Sequence, residues 1–251
     1  MVKRKTLGIA LGGGAALGTA HVGVLKAFEE KGVQIDMISG TSVGALVGAL
    51  YAFGMTVDDM ITASSDLNWF DITELTLSKF GVLSNAKMKR FLKKHIEDAE
   101  FKNANIPLSI VTTDITTGEK VVLDEGNVLN AVVASACIPG VFVPVKYENR
   151  LLVDGGISEN VPISPLLAKK ADIVIGVDLN ATVPQRKPGN IIDVLVNSFE
   201  FMLMSASREQ VKEADLVIAP DLSEFSVTST RNAKKKIQIG YECAMAVLDQ
   251  I

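Results

Sequence analysis

Short apolar runs rich in Val and Ile, with no regular polar alternation, recur along this chain: TLGIAL (6–11), IPLSIVTT (106–113), ADIVIGVD (171–178) and ADLVIAP (214–220). A strand that reads this way is buried on both faces, which is the condition of strands in a parallel sheet covered by helices. QIDMIS (34–39), EKVVL (119–123) and RLLVD (150–154) add further strand candidates. Helical patterns fall between them at 15–32, 42–54, 85–97, 127–136, 160–170, 190–213 and 230–250. The expectation is one α/β domain over 1–251, a three-layer α/β/α arrangement around a mostly parallel central sheet. A chain of 251 residues with 48% hydrophobic content can bury a core of that size. Only NATVPQRKPGN (180–190) reads as a linker-like surface loop.

The formal net charge of −4 gives no electrostatic footprint for nucleic acid. Cys137 and Cys243 form no metal-like cluster, and neither a metal nor a cofactor is expected; a reduced, cytoplasmic setting is the simpler reading. MVKRK followed by TLGIALGGGAALGTAHVGVL imitates the charge layout of an export signal, but glycines crowd its middle and it runs straight into an amphipathic helix. MISGTSVGALVGALYAFGMTV is long enough to span a bilayer, yet SGTSVG breaks it; strand, turn and helix explain it better.

That turn carries the first chemical signal. Gly40-Thr41-Ser42-Val43-Gly44 fits G-x-S-x-G between an apolar strand and a small-residue helix. A nucleophile on so sharp a turn needs neighbours without bulk, and Gly40 and Gly44 provide the room. The helix start favours negative charge developing beside the serine. The competing reading is an ordinary Ser N-cap.

The second signal is LGGGAALG (11–18), which ends a strand and opens a helix. A P-loop needs Lys and Ser or Thr after its last glycine, and Gly18 is followed by Thr19 and Ala20. A dinucleotide fingerprint would require a glycine where Leu17 stands. The third reading is an oxyanion hole serving Ser42, towards which the amides of Gly12 to Gly14 point uncovered.

Histidines decide the rest by their scarcity. Only His21 and His95 exist, both early, so the Ser…Asp…His order of α/β-hydrolases is not available. His21 reads as a packed residue and His95 as an exposed one. The base for Ser42 is then a carboxylate. Asp114, Asp154 and Asp178 each end a strand, and position alone does not choose among them.

Taken together, GGGAALG, GTSVG and the DGG of Asp154-Gly155-Gly156 resemble the patatin-like phospholipase family. The text from AHVGVLKAFEEKG to the turn, ASACIPGVFVPV (134–145) and DGGISENVP (154–162) resemble it too, and the likeness spans about residues 6–180. The resemblance implies a serine acyl hydrolase that cleaves lipid acyl esters without a cofactor. It implies Ser42 as nucleophile and Asp154 as general base. It implies Gly12 to Gly14 and Val43 at the oxyanion, with Gly40, Gly44, Gly155 and Gly156 shaping the turns. Family members commonly carry an arginine in the loop where this chain has Leu17, which opens simpler esters, lysolipids or thioesters as substrates. Acyl transfer on the same scaffold, or a weakly active regulatory protein, are the alternatives. Oligomeric state is not legible.

The stretch 65–101 reads as a lid-like helical insertion holding Trp69 and Phe70 and the basic residues Lys87, Lys89, Arg90, Lys93 and Lys94. On a helix, Met88, Phe91, Leu92 and Ile96 share one face. Such a helix either touches a lipid surface transiently or packs its stripe on the core, the commoner arrangement; in both cases it shapes an acyl pocket.

Overall fold

A computed structural model describes residues 4–66, 74–78, 80–182 and 187–250. Trp69 and Phe70 lie outside the described residues. In chain order the elements are β1 Leu7–Leu11, α1 Thr19–Glu30, β2 Met37–Thr41, α2 Val43–Ala52, α3 Val57–Asp66, β3 Glu74–Ser78, β4 Gly81–Ser84 and α4 Ala86–Ile96. They continue with β5 Leu108–Asp114, β6 Lys120–Leu123, α5 Val128–Ser135, β7 Gly140–Phe142, β8 Val145–Tyr147 and β9 Arg150–Asp154. The last are α6 Ser164–Ala168, β10 Ile173–Val177, α7 Ile191–Gln210, β11 Leu216–Ile218 and α8 Ala233–Leu248.

The main sheet runs β11-β10-β1-β2-β5-β9-β8, with β6 also on β5. From β11 to β5 every neighbour is parallel, while β6, β8 and β9 join antiparallel. The parallel strands are the runs without polar alternation, and their residues are buried on both faces: β5 is buried along its whole length, as is β1. Helices cover the sheet, with α1 and α8 packed closely on each other through Gly23 and Gly240.

Two expectations are corrected. The stretch 65–101 is not simply helical: β3 and β4 pair as a hairpin and β7 adds alongside β4 in a separate sheet of three strands. Short alternating segments such as ELTLS satisfy the two-residue period of a strand, and β7 supplies the partner from far along the chain. The helix expected over 160–170 shrinks to Ser164–Ala168, because the backbone of Asn160 and Val161 instead donates to the Gln210 side chain. Helix α3 was not read from the sequence, although its start carries a recognisable cap: Thr56 Oγ1 accepts from Asp59 N at 3.1 Å.

Candidate active site

Ser42 follows the last residue of β2 with φ 54 and ψ −123, a left-handed backbone that a non-glycine residue adopts at a cost of about 1–3 kcal/mol. The surroundings hold it there. Its N–H donates to Ser135 Oγ at 2.8 Å, and that hydroxyl donates to Val111 O at 2.6 Å. A β-carbon at Gly44 would lie 2.0 Å from Leu11 O, and one at Gly40 would lie 2.6 Å from Ala45 Cα. Only glycine lets β1, the turn and α2 approach this closely.

The glycine loop lies against the serine: a β-carbon at Gly13 would reach Ser42 Cβ at 3.4 Å. Its amides are not equivalent. Gly12 N–H donates to Val177 O at 3.0 Å, and Gly13 N–H is shared between the backbone and side-chain oxygens of Asn160 at 3.2 Å each. Both are committed inside the fold, contrary to their expected place in an oxyanion hole. Among the described residues, Gly14 N–H and Val43 N–H meet no acceptor, and Val43 stands at the first turn of α2. His21 lies fully buried beneath the loop, with Nε2 at 2.7 Å from Gly12 O. A carbonyl can only accept, so Nε2 carries the proton. Burial holds the ring's pKa down at about 4, so it is neutral and structural.

β5 acts as the ruler for the carboxylate. Thr41 pairs with Val111 and Asp154 with the next residue, Thr112, so the ends of β2 and β9 arrive at consecutive positions of one strand. Asp154 is fully buried. Its Oδ1 accepts from Gly156 N at 2.8 Å, and its N–H donates to Cys137 O at 2.9 Å. Oδ2 meets no donor at hydrogen-bonding distance, yet the Ser42 hydroxyl is near enough to act on the carboxyl. Burial raises the Asp154 pKa to about 7, against the lowering influence of Gly156 N–H and the Ser42 hydroxyl. Asp114 instead accepts from Thr116 N and Asp178 from Asn180 N. Glu200 on α7 is buried too, and burial together with the charges of Asp154 and Asp178 lifts its pKa to about 8.

Ser42 opens on a cavity of about 110 Å³ that follows α2 through Leu46 and Leu50. Met60 of α3 and Met88 and Phe91 of α4 complete its apolar wall. The stripe on α4 is therefore packed inward: Met88, Leu92 and Ile96 are buried and Phe91 is half-buried. On the outer side of α4, Lys89 donates to Asn130 and Lys93 pairs with Asp98 at 2.6 Å. Among the described residues no cluster of His, Cys, Asp or Glu could hold a metal, and no helix is long and apolar enough to cross a membrane.

Several residues that complete this geometry escaped the sequence reading. Ser135 and Cys137 of ASACIPG hold Ser42 and Asp154 respectively. Asn160 bridges Gly13 to Ser207, and Asn180 donates to Gly13 O at 3.2 Å. The only available signal was their place in segments flanking the motifs.

Known proteins share the fold and the family of this chain. Residues 9–167 match the family model described as patatin-like phospholipase. An uncharacterised NTE family protein of Mycobacterium tuberculosis is 35% identical over 69% of this chain and 49% of its own length. The lysophospholipase NTE1 of Mycosarcoma maydis is 33% identical over 70% of this chain and 10% of its own. The chain thus spans about half the length, or less, of these relatives. Among solved structures, VipD of Legionella pneumophila superposes with a TM-score of 0.58 over 98% of this chain and 67% of its own, at 15% identity. ExoU from the ExoU–SpcU complex of Pseudomonas aeruginosa does so with 0.53 over 98% of this chain and 51% of its own, at 17% identity. The chain belongs to the patatin-like phospholipase family.

Proposed function

We propose that this chain is a serine hydrolase that cleaves lipid acyl esters through a Ser42–Asp154 dyad. The observation that carries the proposal is a strained serine on the lining of an apolar cavity, beside a buried carboxyl with one oxygen free. Ser42 Oγ attacks the ester carbonyl while its proton passes to Asp154 Oδ2. Gly14 N–H and Val43 N–H receive the oxyanion, assisted by the start of α2. Asp154 then returns the proton to the departing alkoxide. Water, deprotonated by the same carboxylate, attacks the acyl carbonyl; the acyl–Oγ bond breaks, Asp154 returns the proton to Ser42 Oγ and the carboxylic acid departs. A base with a pKa near 7 suits this cycle, since it both takes and gives a proton close to neutrality. The apolar wall favours an acyl chain, in keeping with the lipid esters implied by the name of the Mycosarcoma maydis relative.

Labelling with a fluorophosphonate probe tests the nucleophile. The wild-type protein is expected to be labelled and Ser42→Ala is not; labelling that survives the substitution would put the nucleophile elsewhere.

A further inference from the structure

Lys236 on α8 is the one fully buried lysine among the described residues, and no carboxylate there pairs with it. Its Nζ donates to Ala16 O at 2.6 Å and to Ser229 O at 3.0 Å. The Phe225 ring centroid lies 5.9 Å away. A buried charge without a counter-charge opposes folding, so its retention calls for another account. Its two acceptors supply one. Ala16 belongs to the glycine loop, whose neighbour Ala15 sits in left-handed backbone at φ 44. Ser229 precedes Thr230, and both Ala16 and Thr230 line the cavity at Ser42. Ala16 N–H also donates to Val227 O at 2.9 Å, so the loop is gripped from both sides by the segment that leads into α8.

We infer that Lys236 is a positioning residue: its ammonium clamps the 226–230 segment to the glycine loop and so fixes the direction of the Gly14 amide at the oxyanion. It lies beyond the residues matched by the family model, on the chain's last helix. The inference rests on the Ser42–Asp154 reading. Burial lowers the pKa of Lys236 to about 8. Burial is the cause of that shift, and no charged side chain figures beside it. Losing the proton turns a charge-assisted hydrogen bond into a neutral one, about half as strong.

The test compares wild type, Lys236→Met and Lys236→Arg in p-nitrophenyl ester hydrolysis from pH 6 to 10, with thermal unfolding alongside. Lys236→Met is expected to lower kcat about tenfold, less than the 10²–10³ lost with an oxyanion donor outright. KM should stay near the wild-type value and Tm should hold or rise. Wild-type kcat should fall as pH passes about 8, a limb missing from Lys236→Met. Lys236→Arg, which keeps the charge, should recover part of the rate. A wild-type kcat in Lys236→Met overturns the proposal, as does a loss in which KM and Tm worsen in parallel. Should that variant not fold, Lys236→Gln replaces it, and a wild-type kcat in that variant overturns the proposal. Fluorophosphonate labelling of Ser42→Ala, run in parallel, reports separately on the dyad.

Discussion

At the Ser42 end of the cavity, backbone lies against backbone. Added β-carbons would fall 2.0 Å from Leu11 O at Gly44 and 2.1 Å from Val111 O at Gly155. Away from that turn the cavity wall is apolar, with Leu50, Met60, Met88 and Phe91 among its lining residues. Under the proposed reading the first region fixes where the reacting atoms stand, and almost any added bulk displaces it. The second fixes only volume, and volume can be exchanged. On the proposed mechanism chemistry and selectivity are then separable, and substitutions in the two regions should fail in different ways.

The largest effect belongs to the carboxyl. Asp154→Asn is expected to lower kcat on p-nitrophenyl esters by about 10²–10⁴, the contribution of a positioned general base. Asp178→Asn, whose carboxyl serves Asn180 N–H, should keep most of the activity. The reverse order would show that the base had been misassigned. The pH dependence sharpens the test. As a base, Asp154 must be ionised, so kcat/KM should rise with pH through about 7. Stability runs the other way. The folded pKa lies above the ordinary value of 3.8, so the folded chain keeps a proton that the unfolded chain has lost. Between about pH 4 and 7, stability should thus fall as pH rises, and Asp154→Asn should flatten that slope. A kcat/KM that is level from pH 5.5 to 8 would contradict the base assignment.

A smaller effect is expected where the motifs are supported from outside. Ser135→Ala removes the acceptor for Ser42 N–H and the donor to Val111 O. Leaving a buried N–H without a partner costs about 1–3 kcal/mol. We expect a lowered Tm together with a kcat loss of about tenfold, as the strained turn relaxes. Ser135→Thr, which keeps the hydroxyl, should restore much of both. A normal kcat in Ser135→Ala would show that α2 alone holds the serine.

What the sequence made legible divides along the same line. Glycines at 12, 40, 44 and 155 could be read because backbone approaches each of them too closely for a β-carbon. The parallel strands could be read because burial on both faces removes polar residues from them. Ser135, Asn160 and Lys236 could not: each is an ordinary polar residue whose partner lies far along the chain, and nothing local marks it. The amides of Gly12 and Gly13 looked free for the same reason, since Val177 and Asn160 are remote in sequence. The strands β3, β4 and β7 are so short that their pairing, not their composition, defines them.

The smallest effect tests the apolar end. Phe91 is half-buried and contributes its ring to the cavity wall, so Phe91→Ala should enlarge the space without disturbing the dyad. A methylene in an apolar pocket is worth about 1–3 kcal/mol of discrimination. The ratio of kcat/KM for a longer acyl ester to that for a shorter one should therefore rise about tenfold in Phe91→Ala. The rate on the shortest ester, whose acyl group stays near Ser42, should change little. If the ratio is unmoved while every rate falls together, α4 is part of the catalytic framework rather than of its selectivity, and the separation between the two ends of the cavity does not hold.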